Sequence, residues 1–303
     1  MNTSPAQALT KIQAFALASR PKTLPAAAAP VILASAIAVY EHVFQAEIAG
    51  AALIAALFLQ VGANFANDVF DFHRGADNEE RLGPIRVTQA GLLSPQEVLW
   101  GMWISFGVAA LLGLYLTWVA GWPILIIGLL AIAAAISYTG GPIPYGYYGL
   151  GDLFVFAFFG FAAVCGTYFA QAGTVSWLAF WGAIPMGALA TAILTVNNLR
   201  DHETDLRAGK HTLVVRNGRD FARREYILLL IIAYLVPLYL VFLNGLTPWV
   251  LIVYISASLL PGMLSSLYKD TGRPLNKLLA KTGRLELIYS LIFSLGLLIP
   301  KFL

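Results

Sequence analysis

Two stretches of this 303-residue chain set carboxylates and amides at helical spacing beside cations. The first carries Asn64, Asn67, Asp68 and Asp71 and runs on to Asp77, Arg81 and Arg86. The second carries Asn197, Asn198, Asp201 and Asp205 and runs on to Lys210 and Arg216. With Asn67 set against Asn197, both read Asn-x-x-x-Asp, and Asp71 falls opposite Asp201. Residues three and four apart share a helix face. Asn64, Asp68 and Asp71 therefore form one stripe with Asn67 beside it, and Asn197, Asp201 and Asp205 form another. Oxygen-only donors of this kind suit Mg²⁺, which takes one or two carboxylates and completes its shell with water and substrate phosphate. A solvated helix end would explain one stripe. Two copies, each closing an apolar run and each trailed by cations, point to one chemical site with Asp68, Asp71, Asp201 and Asp205 as its catalytic candidates. Like charges at this spacing repel, so exchanging Asp71 or Asp201 for asparagine is expected to leave folding intact.

The elements that must hold these stripes are apolar. Only 12% of the chain is charged and 59% is hydrophobic, against about 25% charged in ordinary globular domains. The uncharged runs hold 18 residues between Lys22 and Glu41, 20 between Glu47 and Asp68, 54 between Glu97 and Asp152, 47 between Asp152 and Arg200, and 43 between Glu225 and Lys269. A spanning helix needs about 20 apolar residues. Splitting the long runs at Gly121-Trp122-Pro123, Gln171–Val175 and Asn244–Pro248, and adding a short last span from Leu285, predicts nine transmembrane helices. The runs do not alternate, which excludes a porin-like barrel. On a nine-span count, 18 of the 19 lysines and arginines fall on one side, which the positive-inside rule makes cytoplasmic. The expectation is a multi-pass protein of the cytoplasmic (inner) membrane, with the N-terminus and both acidic stripes on the cytoplasmic face. The net charge of +3 then reports topology, and no nucleic-acid partner is implied. Residues 1–18 read as a surface segment, 20–140 and 148–268 as two four-helix halves of a single domain, and 285–303 as the ninth helix. The single cysteine, Cys165, permits no disulfide within the chain and reads as a small buried hydrophobe.

Between the halves lies Ser137–Asp152, a loop without cations that holds four tyrosines. Its glycines let the backbone turn tightly or approach a ligand closely. Tyr138 and Tyr145 either anchor the membrane interface or line a pocket for a flat ring or a carbocation. Asp152 is either a helix N-terminal charge or a site residue, the default for an ionisable group at membrane depth.

Four segments carry a family likeness: Arg20-Pro21-Lys22-Thr23-Leu24-Pro25; Asn67-Asp68 through Asp77-Asn78-Glu79-Glu80-Arg81-Leu82-Gly83-Pro84-Ile85-Arg86; Asn197-Asn198-Leu199-Arg200-Asp201 through Asp205, then Gly209-Lys210-His211-Thr212-Leu213; and Tyr148-Gly149-Leu150-Gly151-Asp152. Along its whole length the chain resembles the UbiA superfamily of intramembrane aromatic prenyltransferases, and within it the branch that acts on 1,4-dihydroxy-2-naphthoate in menaquinone biosynthesis. The resemblance implies a nine-helix bundle whose Asp-rich motifs, Asp77 included, bind Mg²⁺ and a polyprenyl diphosphate. It implies that Arg81, Arg86, Lys210 and Arg216 neutralise the diphosphate. Arg20 or Lys22 then takes the acceptor carboxylate, and Asn64, Tyr138, Tyr145 and Asp152 stand around the acceptor and the allylic cation. The chain departs from the superfamily pattern in one place: the last acid of the first motif falls on Gly75, and the next is Asp77. Two other readings stay open, a relative acting on another acceptor such as 4-hydroxybenzoate, and a secondary transporter using the carboxylates as an ion site.

Overall fold

A computed structural model describes residues 9–75 and 82–301. The described residues are helical throughout, without a strand. In chain order the helices are α1 (Lys11–Ala18), α2 (Leu24–Tyr40), α3 (Ala46–His73), α4 (Pro95–Ala120), α5 (Trp122–Ser137), α6 (Gly151–Val155), α7 (Ala163–Ala172), α8 (Trp177–Arg207), α9 (Leu213–Asn217), α10 (Arg219–Asn244), α11 (Leu260–Lys269) and α12 (Leu275–Leu298). A π-helical turn, Phe156–Ala162, joins α6 to α7, and a 3₁₀ stretch, Pro248–Leu259, leads into α11. Eight of the resulting helical segments are long and apolar enough to cross a membrane. The remaining expected span, the fourth in chain order, is α5, which has 16 residues and falls short of that length. The Gly121 hairpin between α4 and α5 lies where the sequence predicts it.

Helix starts follow local chemistry. Thr10 and Ser94 each form a capping box, with Gln13 and Glu97, which satisfies amides that have no intrahelical partner. Proline inside a helix removes one hydrogen bond and frees the carbonyl four residues earlier. Pro237 of α10 does this to Ala233, and the buried Tyr289 hydroxyl of α12 donates to that carbonyl at 2.7 Å. Helix α8 is the central post, with 72% of its apolar window buried. Around it, α2, α10 and α12 build the largest hydrophobic cluster, while α1, α3 and α4 form a second. A third cluster gathers the helix ends remote from the acidic stripes: Ile48, Leu116, Ile124 and Ala170 with Val31, Ala51 and Ala52.

The two long helices that carry the acids, α3 and α8, have 28 and 31 residues. Both end at the same edge of a deep cavity of about 1010 Å³. One face of α3 lines that cavity from Asp71 through Asn67, Ala63, Leu59 and Ala56 to Ala52. At 1.5 Å per residue this face is about 28 Å long, close to the hydrocarbon thickness of a bilayer.

Candidate active site

The mouth of the cavity is polar and its depth is apolar. Asn67, Asp71, Asn197, Asp201 and Asp205 line the mouth together with Arg20, Lys22, Arg86 and Lys210. Asp71 is 2% exposed. Its Oδ2 accepts from Arg86 at 2.8 Å, and its Oδ1 accepts from the Tyr147 hydroxyl at 2.8 Å. Lys210 Nζ stands 3.6 Å from Asp71 Oδ1 and 3.6 Å from Asp205 Oδ1. One ammonium thus ties the first motif to the second, and it rests 4.7 Å from the centre of the Tyr147 ring, a cation–π distance. The two acidic stripes, 130 residues apart at Asp71 and Asp201, share one site.

The expectation that asparagine at Asp71 would relieve repulsion needs correcting. Arg86 is 5% exposed and pairs with the buried Asp71, so the charge of this carboxylate is already balanced. Removing one member of a buried pair leaves the other charge uncompensated.

Asp68 and Asn64 have other tasks than lining the cavity. The Asp68 carboxylate accepts the backbone amides of Val87 and Thr88, each at 3.1 Å. It thereby pins the chain segment that delivers Arg86 to Asp71. Asn64 donates to the Ser19 carbonyl at 2.9 Å and to Thr23 Oγ1 at 3.0 Å. Those bonds clamp the turn that places Arg20 and Lys22, in which Arg20 takes a left-handed backbone with φ 50°. Such a conformation is costly for a side chain with a Cβ and persists only where its surroundings hold it. Arg216 sits on the outer rim, donating to the Tyr148 carbonyl at 3.0 Å, outside the cavity lining. Asp152 is buried beside α8, with its carbonyl 3.5 Å from Thr191 Oγ1, and likewise does not line the cavity. Asp77 and Arg81 lie outside the described residues.

Several site residues carry no clear signal in the sequence. Arg200 is 2% exposed and forks onto both Asp201 oxygens at 2.8 and 2.5 Å, with further bonds to Asn197 at 2.9 Å and Asn276 at 2.8 Å. Its place directly before Asp201 in the second stripe is the one hint that it would neutralise that acid. Asn276 arrives from α12 and donates to the Leu82 carbonyl at 2.8 Å, a contact no local pattern announces. Arg74 donates to the carbonyls of Thr139 and Gly141 and so fastens the tyrosine loop to α3.

That loop forms an aromatic wall. Tyr145 stacks on Phe154 with centroids 4.2 Å apart, and Tyr138 meets Tyr145 edge-on at 5.4 Å. A Cβ on Gly146 would lie 2.7 Å from the Tyr138 carbonyl and 3.0 Å from its ring, so glycine lets the loop close onto Tyr138. Burial pushes the hydroxyl pKa of Tyr145 up, and burial followed by the nearby Asp152 does the same for Tyr138. Both rings present neutral faces to the cavity.

The donor set fits a hard divalent cation. Carboxylate and amide oxygens line the mouth, and among the described residues no three Asp, Glu, His or Cys side chains converge into a cage of their own. The protein offers part of a shell, as is usual for Mg²⁺ shared with a phosphate ligand.

Residues 27–284 match the model of the UbiA prenyltransferase family. The chain is 38% identical to the 1,4-dihydroxy-2-naphthoate octaprenyltransferase of Haemophilus influenzae, covering 93% of this chain and 94% of that protein. It is 39% identical to the protein of the same name in Mycobacterium tuberculosis, covering 90% and 92%. A human relative, UbiA prenyltransferase domain-containing protein 1, is 30% identical, covering 95% and 84%. Among solved structures, an apo UbiA homologue from Aeropyrum pernix K1 superposes with a TM-score of 0.67 at 17% identity, covering 97% of this chain and 99% of that one. A homologue from Archaeoglobus fulgidus bound to GPP and Mg²⁺ gives 0.67 at 15% identity, covering 94% and 100%.

Proposed function

Because this chain belongs to the UbiA prenyltransferase family, we propose that it transfers a polyprenyl group from a polyprenyl diphosphate to 1,4-dihydroxy-2-naphthoate, releasing diphosphate and CO₂ to give demethylmenaquinol in menaquinone biosynthesis. The observation that carries this reading is the single cavity, with acids and cations of both motifs at its mouth and an apolar channel behind them. The naphthoate relatives supply the acceptor.

Asp71, Asp201, Asp205, Asn67 and Asn197 would hold Mg²⁺ against the diphosphate, with Asp77 as a further candidate. Bound there, the ion would offset charge on the departing diphosphate. Lys210 and Arg86 face the same oxygens and stabilise the charge that grows on them as the C–O bond breaks, the place where fixed electrostatics accelerate most. Arg216 contributes at longer range, from outside the cavity lining, and Arg81 is a further candidate for the diphosphate. Asp68 serves by holding Arg86 in place, and Asn64 by holding the Arg20–Lys22 turn. The rings of Tyr138 and Tyr145 face the allylic cation, and Asp152 lies behind them. Arg20 or Lys22 binds the acceptor carboxylate. The ring carbon bearing that carboxylate forms the new C–C bond. The electrons of the C–CO₂⁻ bond then restore aromaticity, so no ring proton has to leave.

We place the chain as one domain of two four-helix halves, 20–140 and 148–268, followed by a last helix at 285–303. In this placement α5 is counted as a span, the mouth is cytoplasmic and the lipid is that of the cytoplasmic membrane. The test is the purified protein with Mg²⁺, octaprenyl diphosphate and a panel of aromatic acids. The expected product is prenylated naphthoquinol lacking the carboxylate by mass spectrometry. A cationic pocket for an aromatic carboxylate also suits 4-hydroxybenzoate, and turnover of that acid alone would move the chain to that branch. A transporter would release no diphosphate.

A further inference from the structure

Some helical glycines in this protein are required by packing and others are not. At Gly160, Gly187 and Gly296 an added Cβ would stand 2.6–2.8 Å from the backbone of another helix or segment. Glycine there permits close helix approach, its usual role in membrane bundles. Gly113, Gly128 and Gly166 are different. A Cβ at Gly113 or Gly128 would meet nothing within 4 Å, and one at Gly166 would meet only the Ile127 side chain, at 3.6 Å. None of the three has positive φ. Glycine weakens a helix relative to alanine, and at these positions neither packing nor backbone conformation requires it. All three line the cavity. Of the other open helical glycines, Gly50, Gly107 and Gly262 lie outside its lining, and Gly283 lines it beside Lys22 at the mouth.

The three share one depth. Gly113 lies seven residues from the end of α4, Gly128 six from the start of α5, and Gly166 six from the end of α7. Ala52 of α3, also lining the cavity, lies six from its start. Each is therefore about 9–10 Å from the remote end of its helix. Those ends are level. Gln45 and Gln171 bond the start of α3 to the end of α7 at 2.6 and 3.2 Å, and Gly121 alone separates α4 from α5. One turn beyond the ring, Ile48, Leu116, Ile124 and Ala170 close the apolar floor. Three helices thus present glycine and a fourth alanine at one level, about 28 Å below Asp71.

We propose that Ala52, Gly113, Gly128 and Gly166 form a collar that sets which prenyl chain lengths the enzyme accepts. The proposal rests on the reading of the cavity as a prenyl diphosphate site. With single bonds of about 1.5 Å, an isoprene unit extends roughly 5 Å, so roughly six units reach from the acids to the collar. Shorter tails end above it, and longer ones must enter it.

Gly128→Leu and Gly166→Leu fill the collar without touching the mouth, and leucine favours a helix more than glycine does. Each variant, with Gly166→Ala as a small-residue control, is assayed with 1,4-dihydroxy-2-naphthoate and prenyl diphosphates of two, four and eight units. Thermal melting in detergent is followed alongside. The expected result for the leucine variants is wild-type kcat/KM with two and four units. With eight units the loss is on the order of tenfold or more, as steric exclusion from an apolar pocket gives, while Gly166→Ala stays near wild type. Unchanged turnover of the eight-unit substrate, or an equal loss at every length, overturns the collar. Failure of the underlying reading would look different, since wild type would then prenylate nothing at any length.

Discussion

Asp71 holds three partners at once, Arg86, Tyr147 and Lys210, while Asp201 is gripped by the Arg200 fork. Asp71→Asn and Asp201→Asn should each lower kcat by about 10²-fold or more, the usual result of losing a preorganised electrostatic contact. Higher Mg²⁺ should recover part of that loss, and EDTA-treated wild type should behave like the variants. Full turnover by both variants would remove these acids from the site. Asp71→Asn should also lower stability by about 1–3 kcal/mol, because the buried Arg86 loses its counter-charge; thermal melting checks this. Arg200→Met should cost a similar amount, about 1–3 kcal/mol, since the Asp201 carboxylate it leaves without its fork is partly exposed at the mouth. Arg200→Lys should rescue little, since a single ammonium cannot reproduce a planar fork onto two oxygens. A lysine variant that melts like wild type would show that charge alone suffices there.

Helices meet in this protein where proline or glycine has prepared the contact. The carbonyl freed by Pro237 takes the Tyr289 hydroxyl, so the proline of α10 and the docking of α12 are matched to each other. Tyr289→Phe should cost about 0.5–2 kcal/mol, the range of interhelical hydrogen bonds in membranes, read as an earlier melting transition with kcat unchanged. A variant that melts with wild type would mean the Ala233 carbonyl is satisfied elsewhere. The π-helical turn at Phe156–Ala162 has a related place. Gly160 packs against α8 while Phe158 and Phe159, neighbours in sequence, both line the cavity. Wider helical turns of this sort recur at functional sites. Periodicity at 3.6 residues predicts none of this, because it assumes a regular helix.

At the scale of the whole molecule, the proposed cytoplasmic mouth rests on the division of cations, and labelling tests it. In a Cys165→Ala background, Asn217→Cys should react with impermeant thiol reagents from the cytoplasmic side and Asn244→Cys from the other. Labelling of both from one side would overturn the nine-span placement. The sequence by itself determined the apolar spans, the paired Asn-x-x-x-Asp stripes and the family, because hydropathy and helical spacing are written locally along the chain. It also set Asp71 against Asp201, since the repeat displays that acid twice. Only the tertiary structure decided which carboxylate faces the cavity and which holds a loop. Asp68 and Asp71 lie on one stripe, yet Asp68 binds Val87 and Thr88 while Asp71 turns to Lys210. The same holds for Asn276 reaching Arg200 from 76 residues away and for three glycines brought to one depth. A stripe fixes which residues share a helix face; what that face meets depends on how distant helices cross and where they end, and that is settled by packing across the bundle.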